Sequence, residues 1–458
     1  MILVLGAGLA GLSTAAHLGR TPHRILEREH EVGGLARSVR VDGFRFDFAG
    51  HVLHLRTPEV SALVDDLLGD RLVEHERSAW VRIGDDTVPY PIQVHTHGLP
   101  VDVRVECLLG FARTLVERRD APPTKTVERA PRTTAPLPLS FLNLPPAPDD
   151  GAPSLEAWSE RTFGSGFSRR FFRPYHAKVF AADPSSLTPD WVSWAVPRPT
   201  LDDVLRGALG AVDREFGYNP RFRYPREGGI RRLADALAAR AGPVERGREV
   251  VRIRARSRRA VLADGEEIAY DKLVATAPLP SVVRMVDDLP PAIRARADAL
   301  RWCSVTTFNF GLDRPLGHDR HWIYVPDPEL PFHRIGFPSR LSPGMAEEGR
   351  GSVTAEVSRP AGAPAPDDDD ERRVLEALVR IGAIEDVRHV VTRRRLDLPF
   401  AYVQFDRARR EALPPLFAAL LERGIVPIGR FGSWNYLSME DAIRHGTETA
   451  AWLRGGGA

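Results

Sequence analysis

The chain has 458 residues, 43% of them apolar and 27% charged, which is enough to bury about two or three cores of ordinary domain size. Its formal net charge of +2 excludes the concentrated basic surface of a typical nucleic-acid-binding protein. Cys107 and Cys303 are too few for a disulfide scaffold and favour a reducing compartment. No stretch approaches the roughly 18 apolar residues of a membrane span, so we expect a cytoplasmic protein of several domains.

The N-terminal segment predicts the start of a βαβ unit. Ile2–Leu5 is a short apolar run that predicts a strand, Leu12–Leu18 predicts a helix, and Arg24–Glu27 predicts a second strand. A helix is expected at Pro58–Leu68, and a hairpin is expected at 79–90 around the sequence Gly-Asp-Asp.

Prolines and apolar periodicity divide the rest of the chain. Residues 121–153 contain nine prolines and little periodicity, which predicts an extended insertion. Helices are predicted at 154–172 and 201–214, and strands within 248–275 and 305–325. Four consecutive aspartates at 367–370 precede a predicted helix at 371–381, where the helix dipole favours them without any ligand.

A glycine motif follows the first strand directly and opens the first helix. Gly6, Gly8 and Gly11 have the spacing G-x-G-x-x-G, and Glu27 lies 19 residues after Gly8 at the end of the next strand. Such glycines permit a tight turn, close approach of a pyrophosphate and close packing of helix on strand, while the acid accepts bonds from a ribose. The pattern predicts a dinucleotide site, and a purely structural strand-turn-helix is the alternative.

A second glycine pair, Gly33-Gly34, lies in the stretch Glu31–Ser38. This stretch is similar to that of FAD proteins of the amine-oxidase and glutathione-reductase-like group. The resemblance favours FAD over NAD as the dinucleotide.

Five further blocks resemble the flavin-dependent UDP-galactopyranose mutases, especially their eukaryotic-type branch and its bacterial relatives. The blocks are Phe46–His51, Val88–Gln93, Phe172–Val179 with Trp158 upstream, Asn219–Pro225 with Gly228-Gly229, and Gly429–Tyr436.

The resemblance implies roles for residues in these blocks and for two tyrosines outside them, Tyr324 and Tyr402, which also match the family. Gly50 and His51 would lie against the isoalloxazine ring, and Arg430 would also bind the cofactor. Substrate would be bound by Tyr90, Gln93, Trp158 and Asn219, with the first two on the uracil. Arg173, Tyr324, Tyr402 and Tyr436 would hold the diphosphate and, with His51, form the catalytic set.

The resemblance also implies the reaction. In this family reduced FAD attacks the anomeric carbon of a nucleotide sugar through N5, with loss and return of the nucleoside diphosphate. We therefore expect pyranose–furanose isomerisation of a UDP-sugar, with NAD(P)H or another external reductant for activation and no metal. The alternative is an FAD oxidoreductase of the protoporphyrinogen or amine oxidase type.

The chain departs from the family pattern at three places. The stretch after Tyr436 reads Ser438-Met439-Glu440-Asp441 and lacks the family's Asn-Gln-Asp. The tyrosine at 402 continues as Tyr402-Val403-Gln404-Phe405, without the usual prolines. The family's second diphosphate arginine finds no match before Tyr324, where Arg314 or Arg320 could substitute.

Several assignments have a structural alternative. Arg173 lies among other arginines and could form a surface salt bridge. Tyr324 and Tyr402 lie on strand-like segments, where aromatic side chains often only pack. Trp158 could be a core residue on a helix face.

We expect an α/β fold in which a Rossmann-like FAD-binding domain carries an inserted helical domain and a mixed or antiparallel sheet domain. The FAD-binding domain is predicted in three parts, at 1–95, 216–275 and 401–458. The helical substrate domain is predicted at 96–215, including the proline-rich insertion, and the sheet domain at 276–400.

Overall fold

The computed structural model describes residues 1–120, 137–144, 151–192, 196–212, 216 and 220–457. It confirms the expected α/β fold, with a parallel sheet and a separate mixed sheet. Its strands are β1 (Ile2–Leu5), β2 (His23–Glu27), β3 (Ser38–Val41), β4 (Phe44–Asp47), β5 (Leu72–Glu76), β6 (Ala79–Ile83), β7 (Asp86–Pro89), β8 (Arg221–Pro225), β9 (Val244–Arg246), β10 (Val250–Arg254), β11 (Arg259–Leu262), β12 (Glu267–Ala269), β13 (Lys272–Ala275), β14 (Trp302–Leu312), β15 (Trp322–Tyr324), β16 (Arg334–Gly336), β17 (Gly351–Pro360), β18 (Val390–Val403) and β19 (Ile425–Pro427).

Helices connect and cover these strands. They are α1 (Leu9–Leu18), α2 (Pro58–Leu68), α3 (Val101–Asp120), α4 (Leu155–Phe167), α5 (Arg173–Phe180), α6 (Leu201–Leu209), α7 (Arg231–Ala241), α8 (Leu279–Met285), α9 (Pro291–Asp298), α10 (Asp368–Arg380), α11 (Arg407–Leu421), α12 (Gly429–Gly432) and α13 (Met439–Arg454).

The parallel sheet has the strand order β19-β13-β1-β2-β9. Because β1 lies between β13 and β2, the turn that follows Leu5 opens at the middle of the sheet's carboxyl edge, where doubly wound folds bind nucleotides. Helix α1 packs on α13, and Ser13 Oγ donates a hydrogen bond of 2.7 Å to the carbonyl of Ile443. The glycine motif therefore opens a helix that is held by a distant part of the chain.

The helical segment packs around buried aromatic side chains, with α3 and α4 in close contact. A Cβ on Gly164 would lie 2.2 Å from the carbonyl carbon of Gly110, so only glycine permits this approach. The predicted helix at 154–172 is shorter than expected, because α4 ends at Phe167 and a π-helical turn at Ser168–Phe172 leads into α5. Pro174 in the first turn of α5 has no N–H for an α-helical bond, which explains the wider turn before it.

The mixed sheet has the order β18-β14-β17-β16-β15-β6-β7. Its neighbours are antiparallel except β6 and β15, which run parallel with Trp80 opposite Ile323. The predicted hairpin at 79–90 thus extends this sheet, although we expected it within the FAD-binding part at 1–95. Strand β6 pairs with β15, which is far away in the sequence, so no local sequence pattern indicates this pairing.

Helix α10 covers one face of the mixed sheet. Phe310, Ile335 and Leu378 belong to one buried cluster on the covered face. The helix begins at Asp368, three residues earlier than predicted, because the side chain of Asp367 caps it by accepting from the N–H of Asp370 over 3.0 Å.

Most of the proline-rich insertion predicted at 121–153 lies outside the described residues. Within it, residues 137–144 contact α13, where the ring of Phe141 stacks on His445 with centroids 3.8 Å apart. In the described ranges no helix is long and apolar enough to cross a membrane. The same ranges contain no group of three or more His, Cys, Asp or Glu residues that could hold a metal ion.

Candidate active site

One cleft of about 900 Å³ lies between the carboxyl edge of the parallel sheet and the mixed sheet, and residues of both line it. It brings together most of the predicted cofactor residues and three predicted catalytic tyrosines. The lining residues predicted from sequence are Gly6, Gly8, Glu27, Gly33, Gly34, Gly50, His51, Tyr324, Tyr402, Arg430 and Tyr436.

The two glycine pairs form the floor of one end of the cleft. Gly6 has φ of 97°, and a Cβ on Gly11 would lie 2.0 Å from the carbonyl oxygen of Gly6, so the turn and the first turn of α1 both require glycine. Gly8 and Gly34 face each other, since a Cβ on Gly34 would lie 3.3 Å from the Gly8 Cα. Side chains at these positions would fill the space that a pyrophosphate needs at the start of α1.

Glu27 is fixed at the same end by two backbone groups. Its Oε2 accepts from the N–H of Ala7 over 2.7 Å, and its Oε1 accepts from the N–H of Glu29 over 2.9 Å. Each carboxylate oxygen keeps a further lone pair for a ribose hydroxyl. The glycine floor and this acid together fit the ADP half of FAD.

The Gly50-His51 turn lies where the cleft meets the mixed sheet. The N–H of Gly50 donates to Glu356 Oε1 over 3.2 Å, and His51 Nδ1 lies 2.9 Å from the carbonyl oxygen of Ala49. Burial lowers the pKa of His51 to about 4, so its imidazole is neutral near pH 7. The turn is therefore rigid and uncharged.

Arg430 joins two segments that carry cleft tyrosines. Its Nη2 donates to the carbonyl of Ala401 over 3.0 Å, and its Nη1 donates to the carbonyl of Leu437 over 2.8 Å. Its guanidinium carbon lies 4.7 Å from the ring centroid of Tyr436 and 5.5 Å from that of Tyr402. Arg430 thus packs against both tyrosines and supports their stacked arrangement, in which the ring centroids are 5.9 Å apart.

The tyrosine hydroxyls are suited to donate hydrogen bonds. Burial raises the pKa of Tyr324 and of Tyr402, so both stay protonated at neutral pH. Tyr324 lies on β15 beside Tyr90, with ring centroids 5.1 Å apart. Tyr90 therefore borders Tyr324, one of the predicted catalytic tyrosines, even though it does not line the cleft itself.

Sequence reasoning missed Arg334 and Glu356, which lie on β16 and β17 and line the cleft. Arg334 Nη2 donates to both oxygens of Glu356, over 2.7 and 2.8 Å. Arg334 shares a sheet face with Tyr324, but it does not stand out in a chain with 63 lysines and arginines, nearly all of them arginine. Its importance depends on a partner in the neighbouring strand.

The two arginines proposed as substitutes for the missing diphosphate arginine lie elsewhere. Arg314 Nη1 pairs with Glu385 on the surface, and the guanidinium of Arg320 stacks 4.4 Å over the ring of Trp80. Neither lines the cleft, whereas Arg334 does.

Four predicted substrate or catalytic residues that the structure describes do not line the cleft, Tyr90 among them. Arg173 Nε pairs with Glu156 at 3.0 Å, and the Arg173 side chain is 58% exposed, as the salt-bridge alternative expected. Gln93 is buried, with its Nε2 donating to the carbonyl of Pro197 over 3.2 Å. Trp158 is fully buried in the helical core, and Asn219 lies outside the described residues.

The lining of the cleft also includes apolar side chains from 322–345. They are Trp322, Phe337, Leu341 and Met345.

The chain belongs to a family of flavoproteins. A family model described as "Flavin containing amine oxidoreductase" matches residues 9–453, almost the whole chain. The glycine floor, the fixed Glu27 and this membership together support FAD as the cofactor.

The chain is similar over nearly its whole length to a mutase of known structure. The crystal structure of a reduced UDP-galactopyranose mutase superposes with a TM-score of 0.87 and 25% identity, covering 99% of this chain and 93% of that one. A structure named as a protoporphyrinogen oxidase from Exiguobacterium sp. 255-15 has a TM-score of 0.73 at 16% identity, covering 99% and 98%, and shows the shared fold.

A curated relative matches over a shorter stretch. The phytoene dehydrogenase of Streptomyces griseus is 32% identical over 124 residues, which is 26% of this chain and 24% of the relative. The match therefore spans about a quarter of that protein.

Proposed function

We propose that the protein isomerises a nucleotide sugar between its pyranose and furanose forms, with a UDP-sugar as the first candidate substrate. The observation that carries the proposal is the grouping of Arg334 with Tyr324, Tyr402 and Tyr436 in the cleft that also contains the Gly50-His51 turn. A diphosphate that leaves an anomeric carbon gains negative charge, which a buried arginine and tyrosine hydroxyls stabilise. The similarity to a reduced UDP-galactopyranose mutase supports the same function.

The chain's own residues divide the work along the cleft. Backbone at Gly8 and Gly34 would bind the cofactor pyrophosphate at the start of α1, and Glu27 would bind its ribose. Reduced FAD, when bound, supplies an electron pair at N5 for attack on carbon.

At the other end, Arg334 would hold the substrate diphosphate through its unused guanidinium nitrogens. Tyr402 and Tyr436 would donate hydrogen bonds from their hydroxyls to its oxygens. The neutral His51 adds no charge to compete with these contacts. Burial of the group excludes water, which strengthens each charge-assisted bond.

An anaerobic assay with UDP-galactose as the first substrate tests the proposal. We expect the dithionite-reduced protein to convert it to a product of equal mass over many turnovers, and the oxidised protein to be inactive. Tyr402→Phe should lower the turnover number, whereas the control Tyr270→Phe, a buried tyrosine in the hydrophobic core away from the cleft, should not.

A second candidate is an FAD oxidoreductase acting on an apolar substrate. The apolar side chains of Trp322, Phe337 and Met345 in the cleft lining favour it, as does the position of Arg173 outside the cleft. In that case the oxidised protein would act first, the substrate would reduce the flavin stoichiometrically, and the product would be two hydrogens lighter. That result in the same assay would replace the mutase proposal.

Two accompanying expectations belong to the same proposal. NAD(P)H or another external reductant would keep the flavin reduced, which anaerobic mixing with NAD(P)H tests by bleaching of the flavin. A cytoplasmic location would supply that reductant and suits the two buried, free cysteines.

A further inference from the structure

Glu356 lies at the centre of a set of contacts between distant parts of the chain. Its side chain on β17 is only 4% exposed and faces the cleft. It accepts two hydrogen bonds from Arg334 Nη2, and a third from the N–H of Gly50 over 3.2 Å. His333 Nε2 lies 3.3 Å from its Oε2.

These contacts require an ionised carboxylate. Burial would raise the pKa of Glu356, but Arg334 and His333 outweigh it and hold that pKa well below its usual range. The carboxylate is an acceptor only, so it can serve several N–H donors at once. A side-chain amide of the same shape would present its own N–H₂ to one of these donors.

Arg334 is held at one nitrogen and open at the others. Among the described residues, its Nε and Nη1 make no hydrogen bond, and the residue lines the cleft. Gly50 comes from the N-terminal part of the chain and carries the turn that precedes His51. One carboxylate thus fixes both the arginine and the turn.

We propose that Glu356 is a positioning residue that sets Arg334 against the substrate diphosphate and holds the Gly50-His51 turn beside the flavin. The inference rests on the proposed function, in that it takes a diphosphate as the ligand of Arg334. Glu356 therefore contacts both the residue that would bind the diphosphate, Arg334, and the turn that would lie beside the flavin, at Gly50.

A competing role makes the opposite prediction. If Glu356 only neutralised Arg334, removing its charge would leave Arg334 with a full positive charge, and an anion would bind more tightly. If Glu356 positions Arg334, the same change weakens anion binding. The sign of the effect therefore separates positioning from neutralisation.

The test uses the FAD-loaded protein and UDP as the probe. Glu356→Gln should raise the UDP dissociation constant by about tenfold or more, in line with the loss of a charge-assisted contact. It should also shift the visible flavin spectrum, because one neutral amide oxygen replaces two carboxylate oxygens and holds the N–H of Gly50 less firmly. Glu356→Asp keeps an acceptor-only group and should recover part of both effects.

The matched control is Glu371→Gln, which removes a largely buried carboxylate that lies 3.4 Å from Arg395 Nε on the covered side of the same sheet. It should leave UDP binding and the flavin spectrum unchanged. Unchanged or tighter UDP binding in Glu356→Gln, or an unaltered flavin spectrum, would overturn the inference.

Failure of the proposed function would look different. A wild-type protein that does not bind UDP contradicts the proposed function itself, before any variant is compared. The flavin spectrum of Glu356→Gln then decides the Gly50 contact, with a shift supporting the inference and no shift overturning it.

Discussion

Replacing Arg334 by methionine should destabilise the protein in a strongly pH-dependent way. The change leaves Glu356, whose side chain is 4% exposed, without its main partner, while methionine keeps the length of the stem. Removing one member of a buried ion pair typically costs about 3–5 kcal/mol, because the remaining charge is uncompensated. We expect a loss of that size in the free energy of unfolding at pH 8.

Protonation of Glu356 limits the loss at lower pH. A glutamate in an unfolded chain has a pKa of about 4.3, and each pH unit above it adds about 1.36 kcal/mol to the cost of protonation. That cost is about 1 kcal/mol at pH 5 and about 5 kcal/mol at pH 8.

In the wild type the folded pKa of Glu356 is depressed, so its contribution is fully present above the unfolded pKa and is lost only at more acidic pH. In the variant the folded pKa is raised, so stability falls as pH rises. The difference between the two proteins should therefore grow by about 2–4 kcal/mol from pH 5 to pH 8.

Urea unfolding of the FAD-loaded proteins at both pH values, followed by tryptophan fluorescence, measures the difference. A second substitution, Glu356→Gln, should restore most of the stability lost at pH 8, because it removes the orphaned charge. The control Arg314→Met breaks an exposed pair with Glu385 and should cost about 1 kcal/mol or less. An equal loss at both pH values, or a double variant as unstable as the single one at pH 8, would refute the reasoning.

Three further changes test other parts of the cleft. Gly8→Val should abolish FAD retention, seen as a colourless preparation, because its side chain would occupy the pyrophosphate floor beside Gly34; normal flavin content would contradict this. Arg173→Ala should change UDP binding less than about twofold, since Arg173 is largely exposed and paired with Glu156; a tenfold loss measured by titration would place Arg173 in the bound site after all. Burial lowers the pKa of Lys178 to about 7, so the free energy of unfolding of the wild type should rise relative to that of Lys178→Met as pH rises above about 7. Urea unfolding at pH 6 and pH 9 measures this difference, and no such rise would contradict the prediction.

The cofactor half of the cleft was predictable because its signals are local. Gly6, Gly8 and Gly11 follow one strand, and Glu27 ends the next, so the pattern and the chemistry lie within a single βαβ unit. The second glycine pair at 33–34 lies against Gly8. Positive φ at Gly6 and at this pair, and close backbone contact at Gly11, restrict these positions to glycine, and such restrictions are visible in a sequence.

The substrate half was harder to predict because its contacts join distant strands. Tyr324, Tyr402 and Tyr436 were found through a resemblance in short blocks, and the structure places them in one cleft. Arg334 was missed, since its role depends on Glu356 in the neighbouring strand and on Gly50 near the other end of the chain. Roles for Arg173, Gln93 and Trp158 stay predictions, because they depend on how the helical segment sits when substrate is bound.

The interdigitation of α1 with α13 has a consequence for the order in which the protein can fold. A Cβ on Gly446 would lie 2.6 Å from the carbonyl oxygen of Ala10, so these two helices are fitted to each other at the backbone level. During synthesis the segment containing Ala10 emerges hundreds of residues before its partner, and contacts of such separation form late because closing the intervening loop costs entropy. Until the segment around Gly446 has left the ribosome, the apolar face of α1 that packs on α13 is uncovered. Chains truncated within residues 438–454 should therefore depend much more on chaperones and be much less stable than the full chain.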